Sequence, residues 1–288
     1  MSELIDKAIA EVELPGIFST IQDTGRIGGR RYGIPSSGAL DLNSYFAANR
    51  IVGNLLRAPV VEVIAGNFSI IFKGRAKIAV TGARCMAYID DEIVQLDTCI
   101  DVDKGSRLLL SIPEYGFINY IAIQGGFWGE EVLASRSTYV PGRFGGSWGR
   151  ALRTKDTLSR LDMNGEEPFS SFNFELKDNL LLLRGFHLNE GIEQWIVNQK
   201  FTIEADSDRM GYRLSPQSEL PSFLHREIVS IPVFPGMVQL TKSGQLLVVN
   251  KDGQTTGGYQ VVGVMDEKEL ANLVQLGPGA EVEFSFIL

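Results

Sequence analysis

The stretch that decides the fold class is residues 70–96, IIFKGRAKIAVTGARCMAYIDDEIVQL. Short runs rich in Val, Ile and Phe alternate here with glycines and charged residues, a pattern typical of strands joined by tight turns. Residues 70–72, 77–80 and 86–96 are predicted to form strands, and residues 86–93 are a predicted hairpin that turns on Asp90 and Asp91. The chain is therefore predicted to be mainly β.

The same pattern continues through the rest of the 288 residues, which include 31 glycines. Further strands are predicted at 108–110, 118–123, 180–183, 201–203, 237–240, 246–249, 260–264 and 282–286. Apolar residues at helical spacing predict a helix over 39–52, capped by Ser36 or Ser37 and ended by Gly53, and two short helices at 190–196 and 267–273. The polar stretch 162–177 resembles a linker, so we predict two β-rich domains, residues 1–165 and 166–288.

Composition excludes several classes of function. A net charge of -8 argues against bulk binding to nucleic acid or to an anionic membrane, both of which require clustered Lys and Arg. With two cysteines and two histidines, a zinc or Cys/His catalytic site is poorly supplied, and no metal site is predicted. The acidic N-terminus does not resemble a signal peptide, and no apolar run approaches the roughly 20 residues that span a bilayer. We expect a cytoplasmic protein.

The first candidate site comprises residues 22–26, QDTGR, and residues 35–39, PSSGA, which are predicted as polar turns flanking the helix. Hydrogen-bonding groups at a helix N-terminus suit a carboxylate or a phosphate. A capped helix with a stable loop explains the same residues, and taken alone we favour that explanation.

The second candidate is an arginine segment, residues 135–153, in which Arg136, Arg143, Arg150 and Arg153 alternate with glycines. Guanidinium groups offer a planar fork to carboxylate or phosphate oxygens. The alternative is that these arginines pair with local acids or face water, and the sequence does not decide between the two.

The third candidate is the run ADSDRMGYR at 205–213, where Asp208 and Arg209 precede a glycine turn. The pair is either a structural ion pair or a general base held beside a cation. The spacing alone does not choose between these interpretations.

The fourth candidate is the loop NKDGQTTGGY at 250–259. Adjacent glycines allow close approach to a ligand, while Thr hydroxyls, a Gln amide and Tyr259 supply hydrogen bonds and an aromatic wall. A plain hairpin would need only Asp252 and Gly253 for its turn, so we favour a functional loop. It is neither a Walker A loop nor a Rossmann fingerprint.

These segments occur in the order found in one known family. The set comprises residues 15–16, 22–26, 35–41, 49–54, 81–83, 135–139, 149–152, 207–213 and 254–259. The chain resembles, from about residue 13 to 286, the biotin-dependent carboxyltransferase-like family once called allophanate hydrolase subunit 2. Members include the C subunit of bacterial ATP-dependent 5-oxoprolinase, the KipA protein and a carboxyltransferase segment of urea carboxylase.

The resemblance implies a mainly β fold with a few short helices, built as two cyclophilin-like β-barrel domains. It also implies a complex with an allophanate hydrolase subunit 1 (KipI-type) chain and a LamB/YcsF-type subunit, which uses ATP to open 5-oxo-L-proline to L-glutamate. This chemistry needs a carboxylate base, for which Asp23, Asp41 and Asp208 are the candidates, and cations, for which Arg136, Arg150 and Arg209 are the candidates. The predicted catalytic residues are Asp23, Asp41, Asp208 and Arg209. The predicted substrate-binding residues are Ser36, Ser37, Gly38, Arg136, Ser137, Thr138, Arg150, Gln254, Thr255, Thr256, Gly257, Gly258 and Tyr259.

Two other functions stay open. A biotin-dependent urea or amide carboxylase would need biotin from another chain, because no biotin-carrier Met-Lys dipeptide occurs here. A KipA-like regulator that binds and antagonises a kinase inhibitor would need only the partner surface. The chain also departs from the family pattern at Ile231 and Pro232, where a Glu-Gly is usual, at Gln260, where a Pro is usual, and at Arg184, where a Pro precedes the Gly.

Overall fold

The chain is described by a computed structural model at residues 6–165, 172, 174–224 and 226–287, which hold twenty strands and three α-helices. The predicted mainly β fold with a few short helices is confirmed. Two compact units are present: unit 1 contains Met1–Ile27 and Ser37–Glu175, and unit 2 contains Gly28–Ser36 and Leu176–Leu288. The division at 175/176 lies beyond the predicted 165/166. Residues 166–171 and 173 of the predicted linker lie outside the described residues.

Unit 1 is built from two antiparallel sheets that share one apolar core. One sheet has the order β11-β1-β4-β9-β6-β7 and the other the order β2-β3-β10-β5-β8. The bounds are β1 Asp6–Pro15, β2 Phe18–Gln22, β3 Val60–Ile64, β4 Phe68–Phe72, β5 Ala76–Arg84, β6 Ala87–Ile89, β7 Glu92–Val94, β8 Ile100–Val102, β9 Arg107–Leu110, β10 Tyr115–Ile123 and β11 Thr157–Arg160. The core draws on both sheets, with Phe68 and Ile70 from one packing in the same cluster as Val61 and Ile121 from the other.

The predicted hairpin is confirmed as β6 and β7, which pair through Ile89 and Glu92. Asp90 and Asp91 have φ of 50° and 70°. Positive φ at both central residues matches the right-handed twist of the flanking strands. Asp tolerates this conformation better than most residues, because its short side chain can bond locally.

The predicted helix over 39–52 is shorter, and its cap was assigned wrongly. The helix α1 spans Leu42–Ile51, and its N-cap is Asp41 rather than Ser36 or Ser37. Asp41 Oδ1 accepts the backbone N–H groups of Asn43 and Ser44 at 3.0 and 3.1 Å, which satisfies two of the free donors of the first turn. The predicted stop at Gly53 is confirmed, because Gly53 has φ of 71° and donates to Arg50 O.

Unit 2 contains a closed seven-stranded barrel in the order β12-β19-β16-β17-β14-β13-β20. The bounds are β12 Asn179–Arg184, β13 Phe201–Ile203, β14 Gly211–Pro216, β15 Ile231–Pro232, β16 Met237–Leu240, β17 Leu246–Val249, β18 Thr256–Gly257, β19 Gln260–Val264 and β20 Glu281–Ile287, with α2 at Glu190–Val197 and α3 at Glu267–Leu276. The strands β15 and β18 form a separate two-stranded ribbon. Within the described ranges, none of the helices has the length and apolar character needed to cross a bilayer.

Alternation along β16 assigns the two faces of the barrel wall. Val238 and Leu240 are fully buried and face the inside of the barrel. Gln239 lies on the opposite face, because side chains alternate along a strand. It pairs with Leu247 of β17, which in turn pairs with the exposed Arg213 of β14. Gln239 therefore points to the outside of the barrel. A small apolar cluster on this outer face contains Val233, Met237, Val249 and Val261, with Ile231 and Val264 packed against it.

Candidate functional site

Two of the candidate segments meet in unit 1 through the side chain of Asp23. Its Oδ1 accepts from Gly25 N at 2.8 Å, Ser135 Oγ at 2.7 Å and Ser137 Oγ at 2.5 Å, and its Oδ2 accepts from Arg136 N at 2.6 Å. The Asp23 residue is only 6% exposed. A buried carboxylate that accepts four hydrogen bonds holds these loops together.

The glycines of the arginine segment allow its backbone to lie against these loops. Gly145 and Gly146 have φ of 73° and 56°. A Cβ at Gly145 would overlap the carbonyl oxygen of Ser137, and one at Gly146 would overlap Thr138 Oγ1. The Thr138 hydroxyl donates to Ile21 O at 3.0 Å, so this predicted substrate-binding residue serves the packing of the segment on β2.

The predicted Ser36, Ser37 and Gly38 are divided between the units. Ser36 belongs to unit 2, where its Oγ donates to Lys251 O at 3.4 Å. Ser37 and Gly38 belong to unit 1, and Gly38 N donates to Gln22 Oε1 at 3.2 Å. Ser37 has φ of 52° and is 1% exposed, and its Oγ has no hydrogen-bond partner among the described residues. A strained backbone and an unused buried hydroxyl are features that cluster at functional sites.

Both carboxylate oxygens of Asp41 accept hydrogen bonds, as those of Asp23 do. Besides the two N–H groups on Oδ1, its Oδ2 accepts from Ser44 Oγ at 2.5 Å. Its backbone N–H donates to Tyr120 Oη at 2.7 Å, and that hydroxyl donates to Glu62 Oε2 at 2.8 Å. Burial, with the charges of Glu62 and Asp41, raises the pKa of Tyr120 well above its ordinary value, so the phenol stays protonated. Asp41 therefore fixes the start of α1.

The two predicted cations of unit 1 are paired with nearby acids. Arg136 Nη2 lies 2.8 Å from a Glu131 carboxylate oxygen, and Arg150 makes two hydrogen bonds of 2.7 and 2.8 Å to Asp156. The hydrogen bonds to Asp156 raise the pKa of Arg150. Local pairing, one of the two alternatives that the sequence left open, is what the structure contains for both arginines.

In unit 2, the ion-pair partner of Arg209 is Asp252 rather than Asp208. Arg209 Nε lies 2.9 Å from Asp252 Oδ2, and Nη2 lies 3.3 Å from Oδ1. Both side chains are buried, with 6% and 4% of their surfaces exposed. Asp252 N also donates to Arg209 O at 2.8 Å. This pair joins the 205–213 and 250–259 segments, which the sequence singled out separately.

Asp208 is exposed and caps its own turn. Its Oδ1 accepts from Met210 N at 2.7 Å and Gly211 N at 3.2 Å. Its Oδ2 has no hydrogen-bond partner among the described residues. Of the three carboxylates predicted to be catalytic, Asp208 is thus the one whose second oxygen remains available to a substrate or a water.

The loop 254–259 lies beside a small cleft of unit 2. The cleft has a volume of about 190 Å³, and Asp208, Met210, Gln239 and Gln254 are among its lining residues. Thr256 and Gly257 form β18 of the ribbon, while Tyr259 is 42% exposed and lines a different, more open depression. The structure thus places the predicted residues Asp208 and Gln254 at one site and Tyr259 at another. No three His, Cys, Asp or Glu side chains of the described ranges group as metal ligands.

Two departures from the family pattern have structural explanations. Ile231 packs its side chain against the outer apolar cluster, and its backbone pairs with Gly257. Gln260 is 1% exposed, and its Oε1 accepts from Arg226 N at 2.5 Å. Each of these residues therefore stabilises the wall behind the 254–259 loop.

Sequence reasoning missed several residues that hold these sites together. Glu62 had a visible signal, a charged residue inside the apolar strand VVEVI, which is 1% exposed in the fold. Gln239 had a similar signal in MVQL. Asp252 was assigned to a turn, and nothing local indicates that it pairs with an arginine 43 residues away.

Comparisons with known proteins agree on one family. The family described as "Carboxyltransferase domain, subdomain A and B" matches residues 32–286. The chain is 32% identical to the C subunit of the Escherichia coli 5-oxoprolinase, over 93% of this chain and 88% of that protein. It is 29% identical to the urea amidolyase of Lachancea kluyveri, over 95% of this chain but only 17% of that protein.

A solved structure has the same fold. The crystal structure of the Kluyveromyces lactis urea carboxylase superposes with a TM-score of 0.87 at 28% identity, over 97% of this chain. The chain spans 28% of the length of that structure. The two-barrel architecture expected from the sequence is consistent with this likeness.

Proposed function

Because the chain belongs to the family of the carboxyltransferase domain, subdomains A and B, we propose that it is a subunit of an ATP-dependent 5-oxoprolinase complex, which hydrolyses 5-oxo-L-proline to L-glutamate. The observation that carries the proposal is the similarity to the C subunits of two bacterial 5-oxoprolinases, which runs along nearly the whole length of the chains compared. The partners in the proposal are an allophanate hydrolase subunit 1 type chain and a LamB/YcsF-type chain.

The chemistry explains why ATP is consumed. A lactam amide is unreactive toward water, and phosphorylation of its oxygen by ATP creates a leaving group. Water then adds to the activated carbon, and the C–N bond of the tetrahedral intermediate breaks to give the free amine and an acyl phosphate. A second water hydrolyses this acyl phosphate to the carboxylate of glutamate and inorganic phosphate. This sequence requires a base for the attacking water and donors for the developing negative charge.

The geometry supports a division of roles among the predicted residues. Asp208 is the proposed base, because one of its oxygens is unoccupied and it lines the cleft with Gln254. Ser37 of unit 1, with its unused buried hydroxyl, stays a predicted substrate-binding residue. Asp23 and Arg209, whose side chains are engaged by neighbours, are proposed positioning residues.

A second candidate is the carboxyltransferase part of a biotin-dependent urea carboxylase. The likeness to the Kluyveromyces lactis urea carboxylase favours it. Biotin would be supplied by another chain. The two candidates differ in substrate and in the release of glutamate.

The test is co-expression of the chain with both partner types, followed by measurement of glutamate release from 5-oxo-L-proline with and without ATP. We expect ATP-dependent release, and a loss of about 100-fold or more in Asp208→Asn, in line with the usual contribution of a general base. Asp178→Asn, a change of an exposed aspartate outside the cleft, is the matched control and should keep full activity. ATP hydrolysis that responds to urea and biotin, but not to 5-oxoproline, would favour the carboxylase instead.

A further inference from the structure

Gln239 is a buried polar side chain whose hydrogen-bonding capacity the protein does not use. The residue is 2% exposed, and its Nε2 has no hydrogen-bond partner among the described residues. A buried amide N–H without an acceptor is costly, and native proteins rarely keep one without a reason. Val261 and Leu247, its neighbours across β19 and β17, are apolar and offer no side-chain acceptor.

Gln239 also lines the 190 Å³ cleft that contains Asp208 and Gln254. This volume is below the roughly 300–1,000 Å³ of sites that hold drug-sized ligands, so the cleft suits a small molecule. On its other side, the amide lies against the 254–259 loop, because a Cβ built at Gly257 would be 2.6 Å from Gln239 Nε2. Gly257 therefore leaves room for the amide in its present position.

We propose that the amide of Gln239 is a ligand-binding group of this cleft, and that it donates to a carbonyl or carboxylate oxygen of a small substrate. The proposal rests on the proposed function for its choice of compounds, and it adds a specificity-determining residue to it. A ligand oxygen would satisfy the unused N–H, while Asp208 Oδ2 stays available to the attacking water. The role of Gly257 in the Gln-Thr-Thr-Gly-Gly-Tyr loop is then to keep the amide in place.

Two buried glutamines, Gln239 and Gln260, allow a matched comparison of stability. Gln260, on the neighbouring strand, is equally buried, but its Oε1 already accepts a hydrogen bond from Arg226 N. Gln260→Met removes a bond that the folded protein makes, and the melting temperature should fall by roughly 5 °C or more. Gln239→Met removes none, and the melting temperature should hold or rise. A fall in Gln239→Met as large as that in Gln260→Met would overturn the proposal.

Binding is measured on the full chain by NMR of the side-chain amide groups, with the Gln239 signal assigned by its loss in Gln239→Met. The probes are 5-oxo-L-proline, L-glutamate and urea, added singly. At least one of these probes should shift the Gln239 signal. Gly257→Ala should weaken the affinity for that probe at least 10-fold. The variant should change stability little, because the added Cβ displaces only the end of the flexible Gln239 side chain. Absence of any shift with all three probes would overturn the proposal.

Activity of the reconstituted complex separates this inference from the proposed function. If the wild-type complex releases glutamate and the Gln239→Met complex does so equally fast, the inference fails and the function stands. If the wild-type complex does not act on 5-oxoproline, while urea shifts the Gln239 signal, the function fails and the inference stands.

Discussion

The buried pair of Arg209 and Asp252 allows a quantitative prediction. Arg209→Met leaves the carboxylate of Asp252 buried without its counter-charge, and Asp252→Leu leaves the guanidinium in the same condition. Two unit charges about 4 Å apart interact by about 4 kcal/mol at an effective dielectric constant near 20. Removal of one partner of a buried pair usually costs about 3–5 kcal/mol. We therefore expect each single change to lower the free energy of unfolding of unit 2 by about 4 kcal/mol.

The double variant Arg209→Met/Asp252→Leu should cost much less than the two single changes together, because apolar replacements of a whole buried pair are often close to neutral. Urea unfolding followed by the fluorescence of Trp195 measures this. Trp195 packs against Phe201 of the barrel, and Trp128→Phe with Trp148→Phe removes the other tryptophans. With a typical slope near 2 kcal/mol/M, the midpoint of each single variant should fall by roughly 2 M. Single effects below about 1 kcal/mol, or additivity in the double variant, would refute the reasoning.

Three further predictions concern unit 1. Asp23→Ala should lower the free energy of unfolding by roughly 3 kcal/mol or more, since two hydroxyls and two N–H groups lose their acceptor. Asp23→Asn should lower it by less. Thermal denaturation measures both variants, and equal effects would contradict the hydrogen-bond argument. Gly145→Ala should destabilise far more than Gly105→Ala, because both have positive φ but a Cβ at Gly105 meets nothing within 4 Å; similar melting temperatures would contradict this. Burial raises the pKa of Asp156, but hydrogen bonds from Arg150 and Arg153 outweigh it and hold the pKa below its usual value. Its stabilising contribution is therefore present above about pH 4 and lost as the pH falls through the lowered folded-state pKa. In urea titrations at acid pH, the free energy of unfolding should fall more steeply with pH in the wild type than in Asp156→Asn. Parallel curves would exclude the effect.

The fold was largely predictable because its signals are local. The Asp90–Asp91 hairpin and the stop at Gly53 follow from backbone preferences of single residues, and both are confirmed. The cap of α1 was assigned four or five residues too early, since serine and aspartate are comparable caps and only the geometry selects Asp41.

The candidate sites were predictable in their parts but not in their connections. The Asp23 loop and the Ser137 segment were both singled out, yet their hydrogen bonds span 114 residues, and no local pattern encodes such a contact. For the same reason the sequence pattern placed Arg209 beside its neighbour Asp208, whereas the fold pairs it with Asp252. Burial decides which carboxylates are saturated by donors, and burial depends on the packing of distant segments.

The assignment of residues 28–36 to unit 2 has a consequence for synthesis of the chain. Arg30 donates to Val233 O across 203 residues, and also to Gln254 O at 3.1 Å. At about 5–20 residues per second, a ribosome needs about 10–40 s to reach Val233 after Arg30 has been made. During that time most of unit 1 is made and can fold, before the carbonyl groups that accept from Arg30 have been made. Residues 28–36 are therefore the first part of unit 2 to be made, but they can bind the rest of that unit only after Val233 and Gln254 have been made. A fragment that starts at residue 176 would lack residues 28–36.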